Sequence, residues 1–122
     1  MLTLALLAAA APALPPFVSA EERSDFRCVA VLAAVAQRQA RGELGDLPPS
    51  AGFGRVYAGI VGDAGVEAGR TLEGQQQLMV DAAVALRGAL PPRTDILACR
   101  DRALTRIAQD LPPPTPAPLA PK

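Results

Sequence analysis

Histidine, tryptophan and asparagine are absent from this 122-residue chain. Without His there is no Ser–His or Cys–His nucleophile pair and no imidazole metal ligand. No side chain has an ordinary pKa between about 5 and 8. Aromatics are scarce, one Tyr and three Phe, and twelve bases balance twelve acids. The chain therefore has neither a basic tract to follow phosphates nor a platform to stack bases, which argues against nucleic acid as a partner. Eleven of the twelve bases are Arg, a bias that goes with the Ala-rich composition of a GC-rich gene more than with function.

What is present begins with an apolar leader. Met1–Ala20 carries no charged side chain and ends Val18-Ser19-Ala20. Leu2–Ala11 is shorter than the roughly 20 apolar residues that span a bilayer, and Pro12, Pro15 and Pro16 interrupt the rest of the leader. Small residues at Val18 and Ala20 match a signal-peptidase site. The expectation is a signal peptide over 1–20, a mature chain from Glu21, and no stable membrane insertion after its removal. An uncleaved anchor is the alternative, because the basic start of a signal is missing. Asp25-Phe26-Arg27 before Cys28 does not resemble a lipidation site.

The mature part is long enough for one domain. It reads as all-α, a small four-helix bundle-like domain over 21–111. Ser24 or Asp25 can cap a first helix over Asp25–Ala40. Cys28–Ala36 is apolar all round, as for a helix buried on most sides, with a buried strand as the alternative. Gly42 ends it. Ser50 can cap a second helix, Ala51–Val61, with Phe53, Val56, Tyr57, Ile60 and Val61 on one face. Gly62–Arg70 reads as a connector. Thr71 opens a third helix, Leu72–Leu90, in which Leu72, Gln76, Met79, Ala83, Leu86 and Leu90 repeat at the spacing of a helix–helix seam. Thr94 opens a fourth, Asp95–Leu111, with Arg100, Asp101, Arg102 and Arg106 expected on its solvent face. Residues 112–122 hold six prolines and read as a Pro-rich disordered tail.

The two cysteines, Cys28 and Cys99, fall in the first and last helices. In an exported small domain they read as one structural disulfide closing a loop of about 70 residues, which stabilises by about 4 kcal/mol in the chain-entropy account. They lack the C-x-x-C spacing of redox or metal pairs.

Other chemistry is thin. Glu43 with Asp46, or Asp63 with Glu67, could pair as acid and base, but both lie in Gly-rich stretches where acids are ordinarily solvated. No catalytic residue, cofactor or metal is expected. Tyr57 reads as a core tyrosine with a satisfied hydroxyl. Gln76, within Gln75-Gln76-Gln77, stands on the seam, where a polar residue sets register.

Taken together, the signal, Cys28 in an apolar first helix, the Gly-flanked Tyr57 helix, and Cys99 in a basic last helix resemble a loose group of small exported proteins of α-proteobacteria. In architecture the chain also resembles acid-stress periplasmic chaperones of the HdeA kind. These resemblances imply a helical, single-disulfide fold. The leading expectation is an exported structural or interaction module, periplasmic or secreted, whose partner is another periplasmic or extracellular protein. Acid-stress chaperone and toxin-neutralising immunity-type protein are the alternatives. The sequence leaves the oligomeric state open.

Overall fold

The computed structural model describes residues 17–112. Most of the expected signal, residues 1–16, and of the Pro-rich tail, residues 113–122, lies outside them. The described residues form four helices and no strand: α1 (Ala20–Ala40), α2 (Ala51–Glu67), α3 (Leu72–Ala85) and α4 (Arg93–Asp110). The all-α expectation holds, and so does the disulfide: Cys28 in α1 is bonded to Cys99 in α4. Both are buried, with Cα atoms 5.0 Å apart.

α1 is the axis of the molecule. It packs against each of the other three helices, while α3 and α4 do not touch. This is why its middle is apolar on every side. Phe26, Val29, Val31, Leu32 and Val35 are buried toward different neighbours, together with Tyr57 and Val61 of α2 and Ile96 and Ala103 of α4. Against the ~1.5–3 kcal/mol gained by burying one such side chain, the low helix propensity of the glycines in α2 is a small cost.

The helix ends differ from expectation in instructive ways. α1 begins at Ala20, not Asp25. Its cap is Ser19, whose hydroxyl accepts from the Glu22 amide at 3.1 Å, the first half of a capping box. Ser24 sits inside the helix and donates to the Ala20 carbonyl, while Asp25 is buried. α2 runs to Glu67, six residues past Val61, and ends where Gly69 adopts φ +86°. The glycines 62 and 65 thus lie within the helix instead of breaking it. At Gly65 a Cβ would collide with the carboxamide of Gln75, so this glycine lets α3 approach. Thr71 caps α3 as expected, accepting from the Gly74 amide at 3.0 Å. α3 stops at Ala85, with Arg87 and Gly88 both at positive φ. α4 opens after Pro92, and Thr94 makes no cap.

Gln39 organises the link between α1 and α2. Its amide nitrogen donates to the carbonyls of Leu44, Leu47 and Pro48, and its oxygen accepts from the Ser50 amide at 3.0 Å. One side chain thus satisfies backbone groups of a link whose prolines supply few amides. Ser50 stands at the N-cap of α2 but makes no capping bond.

Candidate functional site

The Asp25 carboxylate joins side chains of two other helices. It lies on α1, 3% exposed, where α1, α2 and α4 converge. Its Oδ1 accepts from the Tyr57 hydroxyl at 2.5 Å and from Arg102 Nε at 2.7 Å, and its Oδ2 accepts from Arg106 Nη1 at 2.5 Å. Arg102 also donates to the Glu21 carbonyl, at 2.9 Å. Arg102 and Arg106 therefore do not lie on a purely solvated face. A buried carboxylate draws their heads inward, because an ion in low dielectric must be paired and hydrogen-bonded. Tyr57 is the satisfied core tyrosine expected from sequence. Burial, together with donation to Asp25, pushes its hydroxyl well above the ordinary tyrosine range. The bond to Asp25 likewise raises Arg102. This cluster clamps three helices.

A second pair ties down the start of α1. Arg70, buried before α3, donates to the Glu22 carboxylate and, at 3.1 Å, to the Phe17 carbonyl. The Arg70 guanidinium holds the Glu22 carboxyl below its ordinary range.

The acids singled out in the sequence, Glu43, Asp46, Asp63 and Glu67, all lie exposed. Asp46 faces Arg93 in an exposed ion pair that lowers its pKa. Asp63 and Glu67 stand on the solvent side of α2, in a helix rather than a loop. Among the described residues no group of three metal-ligating side chains occurs, and no helix is long and apolar enough to cross a membrane.

α3 is the helix that leaves the row Leu72, Val80 and Val84 uncovered. Leu78, Met79, Ala82 and Leu86 lean on the core. Gln75, not Gln76, is the buried glutamine, so the inward face is rotated by one residue from the seam read in the sequence. Leu72, Gln76, Val80, Ala83 and Val84 are left outside, with Leu72 72%, Val80 53% and Val84 67% exposed. Clefts open on both flanks. One of about 590 Å³ runs between α1 and the α3–α4 turn over Phe26, Leu78 and Leu86. Another of about 580 Å³ lies between α2 and α3 over Val61, Met79 and Val80. Sequence reasoning found α3 but not its uncovered row. The signal was available, since the apolar positions of Leu72–Leu90 occupy a wider arc than one helix contact can cover.

Comparison with family models, with curated proteins and with solved structures returned no match.

Proposed function

We propose that this chain is an exported, non-enzymatic binding module, periplasmic or secreted, that engages another protein through α3. The observation that supports this is the apolar row Leu72, Val80 and Val84, left in solvent on a helix flanked by clefts. Large apolar side chains gathered in solvent along one helix face are a mark of interaction sites. The buried disulfide supports an oxidising compartment. The test is affinity capture from the native periplasm with the wild-type protein and with Val80→Glu. Specific capture by the wild type and its loss in the variant are expected. Equal capture by both would remove α3 as the binding element.

The acid-stress chaperone reading is favoured by a different observation. The Cys28–Cys99 bond joins α1 to α4 in a chain whose twelve acids and twelve bases balance. Below about pH 3 most of the twelve carboxylates are neutral, and the side-chain charge moves from zero toward +12. Self-repulsion of the positive chain then loosens the bundle while the disulfide keeps α1 and α4 together. Suppression of client aggregation at pH 2–3 is the expected activity, and its absence with several periplasmic clients would end this reading.

A further inference from the structure

Resting on the binding-module reading, we infer that the partner of α3 is α3 of a second copy of this chain, packed antiparallel about a two-fold axis. The seam spacing at 72, 76, 79, 83, 86 and 90 suits a helix–helix contact. The fold uses half of it. Met79, Leu86 and Leu90 are half-buried in the bundle, whereas Leu72, Gln76 and Ala83 are exposed. With Val80 and Val84 these form one row along the helix, polar only at Gln76.

The charges at the two ends of the row choose the occupant. Glu73 lies in the first turn of α3 and Arg87 just beyond its end. Neither forms an ion pair among the described residues. They stand about 21 Å apart along the axis, so they cannot meet within one chain. An antiparallel second α3 brings each Glu73 within about one helical turn of the Arg87 of the other copy, and a parallel one would set like charges together. In the register that places Leu72 against Val84 of the second copy, Gln76 faces Val80 and the two Gln76 amides lie about one turn apart. A paired amide inside an apolar seam fixes register and direction. Helix dipoles oppose favourably in the same arrangement. Asp81, the remaining charge on α3, accepts from Gln77 at 2.8 Å and lines the cleft beside Arg23 and Arg27, away from the row.

The contact is isologous and closes at two copies. One helix pair of this length covers less than the ~1,200 Å² of a standard stable interface, so the association is weak, with a Kd of order 10–100 µM. Sedimentation velocity of the exported protein between about 1 µM and 1 mM, a range chosen to bracket that Kd, tests it. The expected mass rises from one chain to two. Val80→Glu, at a half-exposed position and checked for helicity, should raise Kd at least about tenfold. Glu73→Arg should weaken the dimer about threefold, and adding Arg87→Glu should restore it. A single-chain mass throughout, a dimer indifferent to Val80→Glu, or a charge swap that restores nothing would each overturn the pairing. A monomer whose capture of another protein is lost in Val80→Glu would overturn the pairing and leave the binding-module reading standing. A dimer that captures nothing else would uphold the pairing and remove the second protein.

Discussion

Tyr57 and Asp25, thirty-two residues apart in sequence, share a buried hydrogen bond of 2.5 Å across the α1–α2 interface. The hydroxyl is fully buried and finds its acceptor in a carboxylate that two arginines also hold. Substitutions at the two ends of this bond should therefore differ sharply. Tyr57→Phe removes one donor and is expected to cost about 1–2 kcal/mol. Asp25→Ala leaves two guanidiniums without their counter-charge and should cost about 3 kcal/mol. That is the low end for a broken buried pair, because both arginines still reach water. Urea denaturation of the two variants measures the difference. Equal costs would mean that the arginines do not depend on Asp25.

The Glu22–Arg70 pair sets an expected pH dependence. Glu22 is held below its ordinary value of 4.5 in the folded state. Its contribution is thus fully present above about pH 4.5 and is lost as pH falls through the lower folded value. Glu22→Gln should remove that part of the acid sensitivity. Melting curves of wild type and variant, followed from about pH 6 down into acid, should converge once Glu22 is protonated in the folded state. Parallel curves would show that the pair adds nothing.

Reduction should destabilise strongly. The bond joins residues 71 apart, both buried in the core. Closing a loop of that length stabilises by about 4 kcal/mol in the chain-entropy account. Cys28→Ala should therefore melt many degrees lower than wild type. A change within about 2 °C, far below a typical disulfide loss, would show that the Asp25 clamp and the core suffice without the bond.

Glycines within α2 should respond with different magnitudes. At Gly59 nothing lies within 4 Å of an added Cβ, so Gly59→Ala should gain about 0.5–1 kcal/mol from helix propensity. Gly65→Ala meets the Gln75 carboxamide and should gain nothing until Gln75 is also shortened to Ala. Thermal melts of the two single variants and the Gly65→Ala/Gln75→Ala double variant decide this. Equal gains at Gly59 and Gly65 would mean that α3 is not held by that approach.

Where processing falls has a structural cost that can be measured. Cleavage after Ala20 would remove the Ser19 cap and the Phe17 carbonyl that Arg70 binds. A chain beginning at Glu21 is expected to be about 1 kcal/mol less stable than one beginning at Phe17. Identical melting temperatures would show that α1 is held by its packing alone.

The architecture was legible because its determinants are local. Cys28–Ala36 is apolar on every side, Thr71 is a cap followed by a helical pattern, and two cysteines stand in terminal helices. What escaped depends on partners far away in sequence. Nothing near Arg102 and Arg106 announces a carboxylate 77 and 81 residues upstream, so a charged stripe on α4 looked like a solvent face. Gly62 and Gly65 are poor helix formers, and only the approach of Gln75 explains why α2 continues through Gly65. Three consecutive glutamines place one amide on each side of α3, and periodicity alone cannot choose which is buried. The Ser19–Glu22 box was written plainly, but the same residues also fit the end of a signal.

Because α1 contacts all three other helices and α3 has no contact with α4, the molecule is expected to come apart in two stages. The disulfide, the Asp25 clamp and the α2–α4 contact close a ring of α1, α2 and α4. α3 lies outside that ring, held mainly by one side of α1. It can lift away while the ring stays shut, so its amides should exchange with solvent through a sub-global opening that costs less than full unfolding. The helix proposed to meet a partner is thus also the one whose order a partner would most readily complete.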